Sequence, residues 1–311
     1  EKYVTYFFVN LKRFDVPASL GGVCPVPDPL DWIESVAKEL EDVPFLHADS
    51  ALVFLLPESL VIPFRRALAS WADSGDSPVG VGVQSVFRSD VSPGGNFGAF
   101  TSNLPAAAAL AAGATWALVG HSEERLDKSE LMQMVYAGSG PSDTRVSTAV
   151  GEVIAREAVA AARRGLNVLA CVGETAEERG EGTAEVIQQR VRAVLTDQLK
   201  SLSRAWRDLD HPTELVIGYE PRWAIGPGKT PPGSEYIGFV AEHIQETLSG
   251  LLGERPPVVY GGGLKTANAA EISGIPSVSG GLIALTQFTG EIGFTVGGLR
   301  EIVKTYYGSN A

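Results

Sequence analysis

Eight short runs of strand-forming residues recur along this chain, each followed by room for a helix. That alternation limits the possible folds more than any other feature. The runs are 3–10, 51–56, 79–84, 115–120, 167–172, 215–219, 258–261 and 281–285. They are mostly unbroken Val, Ile, Leu and Phe, the pattern of parallel strands buried on both faces. Between them the spacing becomes helical. Over 148–165, Val150, Val153, Ile154, Ala158 and Ala162 fall on one face, with Gly165 placed to stop the helix. Over 183–202, Ile187, Val191, Val194 and Leu195 form a second stripe behind Thr183 as N-cap. Eight such units suggest an α/β fold closed into a single (β/α)8 barrel. A doubly wound open sheet is the runner-up, because alternation alone does not separate the two.

Composition removes several functional classes. The 25 Lys and Arg against 37 Asp and Glu leave a net charge of −12 without a basic run. Neither nucleic acid nor an anionic membrane suits such a chain as a partner. Two cysteines, Cys24 and Cys171, lack C-x-x-C spacing, which argues against a disulfide framework or a structural zinc site. The longest mainly apolar stretch, 104–120, is alanine-rich and interrupted by Pro105 and Gly113, whereas a membrane span needs about 20 strongly apolar residues. No basic segment leading into a long apolar run opens the chain, although its start at Glu1 leaves room for a trimmed segment. A reducing, cytoplasmic setting is therefore expected. A barrel takes about 250 residues, and no Pro/Ser-rich linker divides the 311 present. One domain over 1–311 is expected, with the surplus in extended loops near 13–30, 86–97 and 131–147. Glycines and prolines gather in the last two of these, at 92–96 and 137–142.

Four predicted strand ends carry chemically capable residues, and a barrel of this kind builds its site at that face. Asn10-Leu11-Lys12 sets an amide and an ammonium at the end of the first run. Alone, Lys12 would pass for a surface lysine, but at a strand end it can hold an anion as a point charge. Gly120-His121-Ser122-Glu123 follows an apolar run and opens a helix-like segment. A histidine there is either a loop cap or a neutral hydrogen-bond donor whose pKa the helix start lowers. Glu220 ends the run 215–219, where desolvation can make a carboxylate a base near neutrality. The following 221–230 mixes Pro221 and Pro227 with Ala224, Gly226 and Gly228, the composition of a lid moving on two hinges. Trp223 and Ile225 would be costly to expose in a plain loop. Finally, Gly261-Gly262-Gly263 can bring backbone N–H groups to an oxyanion, or can be a flexible turn.

Taken together, the motifs resemble the triosephosphate isomerase family, in order and over nearly the whole chain. The matching pieces are Asn10-x-Lys12, Gly98-Ala99-Phe100-Thr101, Gly120-His121-Ser122-Glu123, Cys171-Val172-Gly173-Glu174-Thr175, Tyr219-Glu220-Pro221-x-Trp223-Ala224-Ile225-Gly226-x-Gly228-Lys229-Thr230 and Tyr260-Gly261-Gly262. The resemblance favours the barrel over the open sheet. It implies that Glu220 is the base, His121 a neutral electrophile, Lys12 the offset to developing negative charge and Asn10 an orienting group. These roles belong to the resemblance, not to composition or spacing. It further implies that Glu123 holds Lys12, with Ser122 and Cys171 beside the catalytic groups. The lid would comprise Pro221, Trp223, Ala224, Ile225, Gly228, Lys229 and Thr230, closing over the substrate to exclude water. Gly226, Gly262 and Gly263 would serve the phosphate. Thr101 would contact the partner of a homodimer. A small phosphorylated sugar is the implied substrate, with no cofactor and no metal.

The departures gather around the phosphate. Gly263 stands where the family usually has serine. The usual Gly-Gly pair after the last strand falls, by alignment of 280–284, on Leu285 and Thr286. Side chains there would crowd the phosphate, although Thr286 offers a hydroxyl. Arg222 and Pro227 replace smaller or more flexible lid residues. Asn103 and Glu124 replace a glutamate and an arginine that form an ion pair in the family, and losing both leaves no unpaired buried charge. A longer segment between Gln84 and Gly98 alters the dimer region. The leading expectation is interconversion of dihydroxyacetone phosphate and glyceraldehyde 3-phosphate. The alternatives are an aldose–ketose isomerase for a tetrulose phosphate and a non-catalytic binding module, since fold alone does not settle function.

Overall fold

The apolar runs become a closed ring of parallel strands. The structure is a computed structural model, and it describes residues 4–41, 47–70, 77–136, 143–210 and 212–308. Tyr3, His211 and the expected loop residues 137–142 lie outside the described residues. The strands are β1 (Thr5–Asn10), β2 (Ser50–Leu56), β3 (Val79–Val83), β4 (Trp116–Val119), β5 (Asn167–Val172), β6 (Leu215–Tyr219), β7 (Val258–Tyr260) and β8 (Gly280–Ile283). They pair in sequence order, and β1 also pairs with β8, so Tyr6 lies opposite both Ala51 and Gly280. That last pairing closes the barrel and removes the open sheet.

Two-residue periodicity divides each strand between two cores. Tyr6, Phe8, Leu55, Trp116, Leu169 and Val216 fill the barrel interior, where the Phe8 and Trp116 rings meet edge-on at 5.0 Å. Phe7, Val9, Phe54 and Leu56 point outward into the layer shared with the helices. Each such large side chain contributes about 1.5–3 kcal/mol when fully buried.

Among the described residues the helices are α1 (Pro29–Glu39), α2 (Glu58–Ala69), α3 (Ala106–Ala112), α4 (Ser122–Val135), α5 (Thr144–Arg163), α6 (Ala176–Arg179), α7 (Ala184–Arg207), α8 (Ser234–Leu252), α9 (Ala269–Ser273) and α10 (Val296–Tyr307). Thr183 caps α7, and Gly165 ends α5 in the left-handed region at φ +80°. Two boundaries differ from expectation. Helix α5 starts at Thr144 because the Asp143 carboxylate accepts the Arg145 N–H at 2.9 Å, and α4 continues to Val135. Much of 131–147 is therefore helix rather than loop. The 13–30 segment holds a 3-10 turn at Ala18–Leu20 and the Asp28 cap of α1. Residues 86–97 are irregular, and Asp90 anchors them by accepting the Ala107 N–H at 3.0 Å and pairing with Arg164 at the end of α5. No helix among the described residues is long and apolar enough to cross a membrane.

Candidate active site

The C-terminal ends of β1, β4 and β6 bring the candidate groups together. Just past β1, Lys12 has φ +41°, a left-handed conformation that costs a non-glycine residue about 1–2 kcal/mol. Local bonds offset it. The Lys12 N–H donates to Asn10 Oδ1 at 3.0 Å, and its carbonyl accepts from Gln84 Nε2 at 2.8 Å. Lys12 Nζ then reaches Glu123 Oε1 at 2.9 Å. Burial works to raise the Glu123 pKa, but hydrogen bonding and charge from Lys12, with His121 nearby, hold it below the usual range. The Lys12 ammonium and the Glu123 carboxylate are thereby paired.

His121 is the N-cap of α4, and its Nδ1 accepts the Glu123 N–H at 3.3 Å. A neutral imidazole accepting at Nδ1 carries its proton on Nε2. That nitrogen faces Glu220 Oε2 at 3.5 Å. Glu220 is almost fully buried at the end of β6, and its Oε1 accepts the Ser122 N–H at 3.1 Å. Space for the carboxylate depends on Gly261, where a Cβ would stand 2.7 Å from Glu220 Cγ. Cys171 lies fully buried beside it. Burial, reinforced by the Glu220 charge, pushes its thiol well above the usual value, so it presents no competing anion.

The segment 221–230 begins with buried Pro221, makes a 3-10 turn at Arg222–Ala224 and becomes exposed from Gly226 to Thr230. Gly226 and Gly228 have φ +118° and +72°, which explains glycine at both. Trp223 Nε1 donates to Glu174 Oε1 at 2.8 Å, while Arg179 stacks 4.3 Å over the indole. Tyr219 and Tyr236 hydroxyls donate to the same Glu174 oxygen at 2.9 and 2.8 Å. Burial raises the Glu174 pKa against these three donors.

The glycine turn after β7 is arranged to offer amides. The Gly261 N–H donates to the Tyr219 carbonyl and the Leu264 N–H to the Leu282 carbonyl, each at 2.7 Å. The amides of Gly262 and Gly263 between them have no partner among the described residues. The end of β8 departs from expectation. Leu285 packs against the core between barrel and helices. The Thr286 hydroxyl, expected as a phosphate donor, accepts the Thr295 N–H at 2.8 Å, and its own N–H donates to Gly293 at 3.0 Å. Both Thr286 groups therefore tie the two ends of the 286–295 loop together. Thr101 is exposed. Among the described residues, no three His, Cys, Asp or Glu side chains are grouped to hold a metal ion.

Three further side chains, Gln84, Glu174 and Arg125, support these groups without any local signal in the sequence. Gln84 was only a strand end, yet its amide also reaches Asn10 Oδ1 at 3.2 Å. Glu174, part of the Cys171–Thr175 motif, collects the Tyr219, Trp223 and Tyr236 donors. Arg125, the one buried residue of α4, donates to the Gly120 and Cys171 carbonyls at 2.9 and 2.8 Å.

The family description "Triosephosphate isomerase" matches residues 36–292. Asn10 and Lys12 precede that match, so the geometry above is what joins them to it. A triosephosphate isomerase of Afipia carboxidovorans is 34% identical over 236 residues, 75% of this chain and 77% of that protein. One from Alkalilimnicola ehrlichii is 31% identical over 258 residues, covering 82% and 86%. One from Bordetella pertussis is 33% identical over 231 residues, covering 74% and 79%. Match and relatives span the barrel strands that carry His121 and Glu220, and on that breadth of agreement the chain belongs to the triosephosphate isomerase family.

Proposed function

We propose that this protein interconverts dihydroxyacetone phosphate and glyceraldehyde 3-phosphate through an enediolate. The observation that carries the proposal is a buried carboxylate, Glu220, facing an imidazole whose proton sits on Nε2, with the Lys12 ammonium at the same strand-end face. Glu220 leaves the Ser122 N–H and takes a proton from C1 of dihydroxyacetone phosphate. Charge develops on the C2 oxygen, where the His121 Nε2–H donates and Lys12 lowers the energy of the anion. The hydroxyl proton passes from the C1 oxygen to the C2 oxygen by way of His121. Glu220 returns its proton to C2, leaving the aldehyde. Gly262 and Gly263 amides suit the phosphate, with Gly226 from the lid, and closure of 221–230 keeps water from the enediolate.

The test is turnover of glyceraldehyde 3-phosphate and of a tetrulose phosphate by the purified protein. A kcat/KM within the usual enzyme range of about 10⁴–10⁸ M⁻¹s⁻¹ for the triose is expected. Folded protein without triose turnover overturns the proposal. We further assign a homodimer in the cytoplasm. The exposed loop carrying Phe97, 87% exposed, and Thr101 supports the first. The two free, buried cysteines accord with the second. Light scattering that returns a monomer overturns the dimer.

A further inference from the structure

Gly120 immediately precedes His121, and side chains from the first turn of α4 claim both of its backbone polar groups. Glu124 Oε1 accepts its N–H at 2.6 Å, and Arg125 Nε donates to its carbonyl at 2.9 Å. The residue has φ +72°, and a Cβ there would stand 2.7 Å from the Cys171 carbonyl oxygen. Glu124 thus holds the Val119–Gly120 peptide and Arg125 the Gly120–His121 peptide, the two units that lead into the His121 ring.

Glu124 is itself supported from the neighbouring helix. Its Oε2 accepts from Lys128 Nζ at 2.7 Å, and Lys128 reaches Glu157 Oε1 of α5 at 3.4 Å. Glu157 is 3% exposed, and it shares the Lys128 ammonium with Glu124. Its Oε2 has no donor directed at it. A proton on Glu157 accounts for that oxygen and for two buried acids sharing one ammonium. Burial, then the Glu124 charge, pushes Glu157 up to about 9. Burial opposes ionisation of Glu124 too, but the bond from Glu157, the Lys128 charge and the Gly120 N–H hold it below the usual range. The other charged residues lining the adjoining cavity of about 490 Å³ are Glu58 of α2, Arg88 after β3 and Asp127 of α4. From α7, Arg204 is engaged with Glu152 at 3.3 Å.

We propose that Glu124, steadied by Lys128 and Glu157, is a positioning residue for His121: it fixes the Val119–Gly120 peptide while Arg125 fixes the Gly120–His121 peptide, so that Nε2 stays aimed at Glu220. The proposal deepens the isomerase reading and rests on it. Loss of the Glu157 proton would set a second negative charge against Glu124 and loosen this hold, so the rate falls at alkaline pH.

The experiment combines kcat and KM from pH 6 to 10 with ring-nitrogen NMR of His121, assigned through His121→Gln. Glu124→Ala is expected to lower kcat by about 10–100-fold, the scale of a misplaced catalytic group, with KM nearly unchanged and the His121 ring signals shifted. Wild type should lose rate above about pH 9. Glu157→Ala should lower kcat at neutral pH. Glu157→Gln, which keeps a donor without an ionisation, should recover that loss and remove the alkaline fall. Wild-type kcat and ring signals in Glu124→Ala overturn the proposal, as does an unchanged alkaline fall in Glu157→Gln. If Glu124→Ala does not fold, the near-isosteric Glu157→Gln decides alone. Wild type without triose turnover refutes the isomerase reading instead, and the substrate-free ring signals of Glu124→Ala still decide the positioning.

Discussion

Glu220 occupies a position where chemistry and burial are in tension. A carboxylate 2% exposed would be costly without partners, and the Ser122 N–H and His121 imidazole supply them. Those partners are also the groups a proton shuttle needs. Glu220→Asp retains the acid but withdraws it by one methylene, and Glu220→Gln removes the base. Both should lower kcat by about 10²–10⁴-fold with a much smaller change in KM, because the group acts in the transition state. Steady-state assays giving wild-type kcat for either variant would assign the proton transfer elsewhere. Lys12 carries a related cost in its backbone, and an observed left-handed residue held by three separate bonds is a sound pointer to function.

The 221–230 segment, read above as a lid, and the turn before α4 are each held by a few bonds. Three donors converge on Glu174 Oε1, and only one, the Trp223 indole, belongs to the lid. Trp223→Phe preserves an aromatic face for Arg179 to stack on but removes that donor, a bond to a charged or shared acceptor worth about 1.5–3 kcal/mol. Limited proteolysis within 221–230 should accelerate in this variant, and phosphoglycolate should slow it again. Cleavage at the wild-type rate would mean that Glu174 does not anchor the lid. Helix α4 shows the opposite economy. Its one buried residue is Arg125, so no apolar stripe announces it, and its place is set by bonds to the Gly120 and Cys171 carbonyls.

Across the molecule, the 86–97 segment is tied to a distant helix end through Asp90 and Arg164. Burial works to raise the Asp90 pKa, but hydrogen bonds from Arg164, Ala107 and Val91 outweigh it and hold the carboxyl low. A lowered folded pKa means stability that is present above the unfolded value and lost as pH falls through the folded one. Asp90→Asn should therefore cost about 1–3 kcal/mol at neutral pH. The gap from wild type should narrow as pH drops below 3.8, the ordinary aspartate value. Thermal melts showing a constant gap would rule this out. Glu157 contributes with the opposite sign. Its raised pKa gives stability present below 4.5 and lost as pH climbs toward about 9.

Strand positions and the polar strand-end groups Lys12, His121 and Glu220 were legible from residues alone, whereas the choice of barrel over open sheet and the roles of those groups came with the family resemblance. Buried parallel strands must be nearly all apolar, so a charged or polar residue at the end of such a run stands out in one dimension. Local caps were legible for the same reason, since Thr183 and Gly165 act within a turn of themselves. The supports of those groups were not. Glu174 gathers donors from 45, 49 and 62 residues away, and Lys12 meets Glu123 across 111. Thr286 illustrates the same limit, because the bond its hydroxyl accepts from Thr295 across the loop shows only in space. Glu124, which stands with Asn103 in place of the family's ion pair, meets Lys128, which also reaches Glu157. Apolar periodicity reports which side of an element faces the core. A polar partner is chosen by distance and direction in space, and those exist only once the barrel has closed.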